Sequence, residues 1–461
     1  KLITKKNLKE NNYLQYSILQ IYSLLISISN YLYFFLPKNK TYSILIENKW
    51  KTFYTFEDLH YFFIKEISKI HKLPSIKIKY NFIQNYILLL LLNIQIFFIN
   101  KNSNFLFTGN RYGLKNLKYN LLKYKKKNIT ILNTNPSSIF PIFKSIVNLV
   151  KIIFKFRDIE LMLPQFKKNI NYINKLDIEN IYNDNIISKN ITSVYKSSII
   201  KYLHNFEILV YNFSLLFRKL KIKCLISDQF RFGNSLASAI AAEKYFYKIM
   251  LISHGTHSYN TDYNSNLANI INADGVLFTP LKSFSINQSP IASDFITKNK
   301  INNKSFNYKP IMWGYGKLKN NAKNKKIYLL HAGSYKVLCQ RPWMYESSNE
   351  YVRGLCDIIK VINEIPEVKL LIRFRPKKEL NTDTLIKLLP KSTKYEISLN
   401  NKLTDDFEKT FVTLSFSSTV IEESLNYKVP VILWGGTNRY KHLKYNNFIN
   451  QYSYRSPVYS A

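Results

Sequence analysis

Residues Thr413–Gly436, "TLSFSSTVIEESLNYKVPVILWGG", decide the fold. They continue the β-rich run "FVTLSF", pass through three hydroxyl residues, enter a short helix carrying Glu422 and Glu423, and leave in a second β-rich run, "VPVILWG". Strand, turn, helix and strand in this order are one β-α-β unit. Ser417, Ser418 and Thr419 fall where a parallel sheet ends at its carboxyl edge and a helix begins with unpaired N–H groups. Helix dipole, amides and hydroxyls together suit a nucleotide phosphate there. Thr419 and Glu422 also fit a T-x-x-E capping box, which requires no ligand. Glu423, one position further on, has a carboxylate able to accept from both hydroxyls of a ribose.

The same alternation extends in both directions from this unit. Upstream, "KIYLLHAG" and "VKLLIRFRP" read as strands, and Ser347 with Glu350 announces a helix whose Tyr351, Leu355, Ile358, Ile359 and Ile362 share one face. These elements make a C-terminal α/β domain over 327–461. The polar run "KLKNNAKNKK", 317–326, separates it from a second α/β domain over 103–316. There "NFLFTG", "NITIL", "KCLIS", "KIMLISHG", "DGVLFT" and "PIMWGYG" are expected strands, with helices at "LKNLKYNLLKY", "NSLASAIAAEKYF" and "SPIASDFITK". An insertion within this domain ends in a helix striped by Ile199, Leu203, Phe206, Val210, Phe213 and Phe217. Two parallel sheets joined by a linker predict a cleft between Rossmann-like domains. Residues 1–102 are expected to form a mainly helical, membrane-facing extension.

Composition bounds the function. The 461 residues, 46% hydrophobic and 21% charged, are enough for two packed cores. Lys and Arg total 67 against 29 acidic residues, a formal charge of +38 that suits nucleic acid, anionic lipid or phosphorylated substrates. A bias toward Lys, Asn, Ile and Tyr, with only 11 Gly, accounts for much of that charge without any partner. Cys224, Cys339 and Cys356 lie far apart, which supports neither a disulfide framework nor a zinc site. No small-residue cleavage site follows the apolar opening, which argues against a signal peptide. Ile18–Leu36 and Phe82–Ile99 have the look of membrane spans. Gln84, Asn85, Asn93 and Gln95 would need partners inside lipid, so the second is expected to be a buried or interfacial helix.

Chemistry-bearing residues also gather in the first α/β domain. Strand "KCLIS" delivers Asp228 at its carboxyl end, and "KIMLIS" delivers His254 within "SHGTH", which also holds His257. Histidine, with an ordinary pKa of about 6.5, can act as a base at neutral pH. "TGNRYG", 108–113, lacks the G-x-G-x-x-G spacing of a dinucleotide site, but it offers Arg111 to an anionic acceptor.

The stretch "SFSSTVIEESLNYKVPVILWG" resembles the nucleotide-sugar-binding segment of two-domain GT-B glycosyltransferases, especially those of bacterial capsule and surface polysaccharide. Kdo transferases and CDP-glycerol glycerophosphotransferases are related enzymes. The resemblance runs from Asn104 to Trp434 and is sharp only in its last third. It implies that Glu423 binds ribose and that Pro430 and Val431 open the following strand. Lys428 stands where that family usually has glycine, and "LIRFRP", 371–376, replaces its lysine-proline-histidine-proline, which leaves phosphate contact to Arg373 or Arg375. "HAGSYK", 331–336, is similar to the interdomain loop that touches donor phosphates, making Ser334 and Lys336 contacts. "HGT" resembles a stretch in enzymes that polymerise glycerol phosphate.

The resemblance implies a cytoplasmic transferase at the inner face of the cell membrane, without cofactor or metal. It would move a sugar from a nucleotide-sugar donor to a surface-polysaccharide or lipid-linked acceptor, with Asp228 or His254 as base and Arg111 and His257 on the acceptor side. Peripheral membrane contact follows from the apolar, aromatic-rich stretches in residues 1–100 combined with the positive charge. Transfer of a polyol phosphate from a CDP donor is the nearest alternative. A sugar-nucleotide epimerase of the same architecture would need a carboxylate and histidine set that the sequence does not reveal. A basic, non-enzymatic nucleic-acid binder rests on charge and aromatic content alone, for the chain has no recognisable nucleic-acid motif.

Overall fold

The computed structural model describes residues 41–46, 49–70, 76, 81–99, 103–108, 113–123, 129–134, 140–166, 186–253, 263–279, 281–308, 327–335, 346–376, 380–399, 402–434, 446–447 and 458–460. The chain divides into two compact units. One comprises Lys1–His254, Ile270–Gln288 and Lys300–Met312, and the other Gly255–Asn269, Ser289–Asn299 and Trp313–Ala461.

The first unit opens with an antiparallel hairpin, β1 (Tyr42–Ile46) and β2 (Lys49–Phe53), where a helical extension is expected. Helices α1 (Phe56–Ile70) and α2 (Phe82–Ile99) follow. They are no separate appendage: Ile64 of α1 and Leu92, Ile96 and Ile99 of α2 lie in the same apolar core as the sheet of this unit. That sheet is wholly parallel, in the order β5-β4-β3-β6-β7-β8-β9. Its strands are β3 (Ser103–Phe107), β4 (Ile129–Thr134), β5 (Asp158–Leu161), β6 (Cys224–Ser227), β7 (Lys248–Ile252), β8 (Phe284–Asn287) and β9 (Lys304–Asn307). Helices α3 (Gly113–Lys123), α4 (Pro141–Ile153), α5 (Ile186–Lys219), α6 (Gly233–Lys244) and α7 (Tyr263–Ala273) connect them.

The 34-residue α5 is the spine of the core. Its expected stripe, Ile199 to Phe217, is buried at every position. Such a helix is held by packing of one face rather than by propensity.

The region around "DGVLFT" differs from expectation. Asp274 and Phe278 make one isolated bridge across a turn at Gly275, φ +72. A Cβ on Gly275 would lie 2.6 Å from Arg231 Cγ and 3.0 Å from the Phe230 carbonyl oxygen, so this turn is pressed onto the segment after β6 and cannot extend as a strand. The strands here are instead β8 and β9, whose polar "FSIN" and "KSFN" lack the apolar run that marks a buried strand. The expected strand "PIMWGYG" and the linker 317–326 lie outside the described residues, as does the candidate span Ile18–Leu36.

Helix α8 (Pro290–Lys298), capped by Ser289, belongs with the second unit. The sheet of this unit is also parallel, in the order β12-β11-β10-β13-β14-β16-β15. It contains β10 (Tyr328–Ala332), β11 (Lys369–Arg373), β12 (Tyr395–Ile397), β13 (Thr410–Ser415), β14 (Val431–Leu433), β15 (Asn446–Asn447) and β16 (Val458–Ser460). Helices α9 (Ser348–Asn363), α10 (Thr382–Leu388), α11 (Leu403–Lys409) and α12 (Val420–Asn426) surround it. The Ser347–Glu350 capping box at the start of α9 is present in both directions, and Tyr351, Leu355, Ile359 and Ile362 are buried against the sheet.

Candidate functional site

In a doubly wound sheet, ligands meet the carboxyl ends of the strands where the strand order reverses. In the second unit that point lies between β10 and β13. Two segments singled out by sequence therefore meet there: "HAGS" after β10 and "SFSST" after β13. Ser415 Oγ donates to the Ala332 carbonyl at 2.6 Å and joins the two strand ends.

Gly333 turns the chain out of β10 at φ +151, a conformation that side-chain-bearing residues rarely adopt. Its N–H donates to the Arg373 carbonyl at 3.1 Å, and its carbonyl accepts from Tyr351 Oη at 3.0 Å. Ser334 Oγ accepts from the Arg375 N–H at 2.7 Å, which ties the ends of β10 and β11 together. His331 points into the sheet layer with its ring 5.6 Å from that of Tyr351 and 6.2 Å from that of Trp434. Burial lowers its pKa to about 4, so it is neutral at physiological pH.

Across the switch point, Ser417 is buried and Ser418 Oγ accepts from the Val420 N–H at 3.3 Å. The Thr419–Glu422 capping box does not form. Thr419 has helical backbone angles, φ −60 and ψ −18, and its hydroxyl makes no cap bond, because a capping side chain needs an extended residue to swing back over the first turn. Glu422 instead accepts from Ser289 Oγ. Since α12 has only seven residues, loop amides and hydroxyls outweigh any helix dipole here.

Glu423 and the two arginines complete the cluster. Burial pushes the Glu423 carboxyl up to about 7, with the Arg373 guanidinium pulling it down and Glu422 pushing it further up. Arg373 is held by an ion pair to Asp406, Nη1 to Oδ2 at 2.5 Å, and Ser398 Oγ donates to the same carboxylate oxygen at 2.8 Å. Asp406 is buried. Arg375 is exposed, so of the two arginines it has the side chain more open to solvent. Sequence reasoning missed Asp406, Ser398 and Ser289. An aspartate in the first turn of a helix, such as Asp406 in α11, ordinarily reads as a dipole partner and draws no attention.

The switch point of the first unit lies between β3 and β6. The Thr108 N–H donates to the Ile226 carbonyl at 3.0 Å, and Ser227 Oγ donates to the Thr108 carbonyl. Asp228 follows at once and is fully buried. One strand over, Ser253 is buried at the end of β7 and its carbonyl accepts from Gln288 Nε2. Arg111, His254, His257 and Lys336 lie outside the described residues. Among the described residues, no group of three or more His, Cys, Asp or Glu could hold a metal ion.

No family model matches the chain, and no curated protein does. Several solved structures resemble it. One is the UDP-GlcNAc 2-epimerase from Neisseria meningitidis bound to UDP-GlcNAc, at 11% identity and a TM-score of 0.41 over 72% of this chain and 82% of that one. The UDP-N-acetylglucosamine 2-epimerase from Rickettsia bellii aligns at 14% identity, with a TM-score of 0.39 over 72% and 78% of the two chains. The wall teichoic acid polymerase TagF aligns at 8% identity, with a TM-score of 0.37 over 82% and 78%.

Proposed function

We propose that the protein is a glycosyltransferase of the GT-B type that binds its nucleotide-sugar donor on the second unit. The observation that carries this reading is the β10/β13 switch point, where a glycine turn, the Ser417–Thr419 loop and the half-neutralised Glu423 gather at one carboxyl edge. Loop amides and hydroxyls suit the donor phosphates, and Arg375 is the cation placed to meet their charge. Arg373 acts through its field on Glu423, being engaged with Asp406. Glu423 accepts from the ribose hydroxyls, and hydrogen bonds to its ionised form would draw its pKa back down.

Transfer also needs a base for the acceptor hydroxyl. His254, which follows Ser253 at the end of β7, is the better candidate, since the full burial of Asp228 keeps it from an acceptor arriving from solvent. Arg111 and His257 would serve the acceptor, a surface-polysaccharide or lipid-linked chain at the cytoplasmic face of the membrane. The reaction as proposed requires no cofactor or metal.

Thermal-shift and calorimetric titration with CMP, CDP, UDP, GDP and dTDP test the donor site, since a ligand of the folded state alone raises the melting point. One or more of these should stabilise the protein. Failure of all five to bind the folded chain would remove the reading. Incubation with the matching radiolabelled nucleotide-sugar and CDP-glycerol then separates sugar transfer from polyol-phosphate transfer, and conversion of the sugar without an acceptor would point to epimerisation.

A further inference from the structure

Helix α4 of the first unit has its polarity reversed, and its neighbour α2 is apolar on both faces. On α4 the two fully buried side chains are Ser145 and Asn148, while Phe143, Ile146, Val150 and Ile153 point outward along one stripe. Phe143 is 68% exposed. These buried polar groups bond within the protein: Gln95 Nε2 of α2 donates to the Ser145 carbonyl at 2.6 Å and Oγ at 3.1 Å, and Asn148 Nδ2 donates to the Glu160 carbonyl. α2 has no charged residue, so its outer face, including Ile83, Tyr86, Leu90 and Phe97, is as apolar as its inner one. A surface helix in water shows the opposite arrangement, with its charged and polar residues outward.

The charge carried by these two helices is all positive, though Glu160 of β5 lies beside Lys144. No Asp or Glu occurs between Glu66 and Asp158, and Lys144, Lys151, Lys155 and Arg157 lie on α4 or just past its end. Lys155 is exposed; Lys144 lies 3.9 Å from Glu160. A second copy of this face would bring like charges together. An anionic bilayer complements it, with phosphates for the lysines and an acyl boundary for the aromatic and branched side chains.

Neither helix is placed to cross such a bilayer. The 13 residues of α4 extend about 20 Å, short of a hydrocarbon core of about 30 Å. α2 is long enough but is tied to protein on its inner side: Asn85 exchanges hydrogen bonds with the Gln165 backbone, and Asn93 accepts from Lys219.

We propose that the outer face of α2 and α4 docks the protein on an anionic membrane, lying in the interface rather than spanning it. No residue of the donor site enters this argument, so docking and nucleotide binding stand or fall separately.

Sedimentation of the full chain with vesicles of phosphatidylcholine, alone or mixed with phosphatidylglycerol, tests it. The wild type should partition onto the mixed vesicles at least about ten-fold more strongly, and added salt should weaken this preference. F143S/I146S should reduce binding to mixed vesicles by about ten-fold or more, and K151Q/K155Q should erase most of the preference for anionic lipid. Both pairs are on the surface, and unchanged far-UV circular dichroism and melting would show that the variants fold. Unaltered vesicle binding by folded F143S/I146S would overturn the proposal, as would absence of binding by the wild type. A wild-type dimer that the same substitutions turn into monomer, with no vesicle binding by either, would assign the face to a second copy instead.

Discussion

The two sheets share a strand order through their first five strands, and so reverse at equivalent places, but end differently at those switch points. At β10/β13 the chain ends in glycine, serines and a threonine, with Glu423 shared between burial and the field of Arg373. At β3/β6 the strand ends are knitted to each other through Thr108 and Ser227, and Asp228 beside them is buried. Similar winding therefore yields one edge lined by glycine and hydroxyl loops and another whose strand ends bond to each other. The winding sets where a ligand can lie, and the loop chemistry sets what it can be.

The largest expected effect tests the edge of the first unit, where Asp228 follows β6 and Ser253 closes β7. If His254 is the base, H254A should lower turnover by about 10²–10⁴ with nucleotide affinity little changed, and should remove an activity limb near pH 6–7. If Asp228 is the base, D228N is the dead variant and the limb remains. Near-normal turnover in both would move catalysis away from this edge.

Glu423→Gln sharpens the contrast from the other side, because it separates stability from binding. Between pH 4.5 and about 7 the unfolded chain has released a proton that folded Glu423 still holds. Stability therefore falls as pH rises through that window, by up to about 3 kcal/mol once above it. E423Q should flatten this decline in urea unfolding curves and be the more stable protein at pH 8, yet bind nucleosides more weakly while free pyrophosphate binding changes little. Equal loss for both ligands would remove the ribose role.

Next in size is the hydroxyl loop. S417A/S418A should weaken nucleotide binding by about 1–3 kcal/mol in calorimetry, the range for hydrogen bonds to a charged group. Unchanged affinity in the folded double variant would leave that loop a purely structural turn.

The smallest effect concerns the end of α12. There the Lys428 N–H donates to the Leu425 carbonyl and the Val429 N–H to the Ser424 carbonyl, both at 3.0 Å, a closure that places Lys428 at φ +60. This is the position where the resembling family usually has glycine, and left-handed backbone costs a lysine about 1–2 kcal/mol. K428G should stabilise the second unit by about 1 kcal/mol or less, since glycine also gives the unfolded chain more freedom. A loss of stability would show that the lysine side chain makes a compensating contact.

Much of this architecture was legible in the residue pattern, because a buried parallel strand must be an apolar run and a core helix must repeat at three and four. "KCLIS", "KIYLLHAG", "FVTLSF" and the α5 stripe are all of this kind. Where burial is partial the pattern weakens, so β8 and β9 escaped notice and the apolar "DGVLFT" was read as a strand. The site was legible to the same degree. Hydroxyls, glutamate and arginines announced themselves by type and spacing, whereas the pairing of Arg373 with Asp406, 33 residues away, and of Ser289 with Glu422, 133 residues away, did not.

By itself, then, the sequence determined two α/β sheets, the segments at their carboxyl edges and a strongly basic surface, since each follows from local periodicity or from composition. Its scarcity of glycine is matched in the structure by turns at Lys155, Phe246, Lys300 and Lys428, which stand at positive φ. Only the tertiary structure decided which arginine is already engaged, that Thr419 does not cap its helix, that Glu423 titrates near neutrality, and that α4 has its polar side inward. Each of these depends on what a side chain meets across the chain, and burial and electrostatic fields come from neighbours in space rather than in sequence.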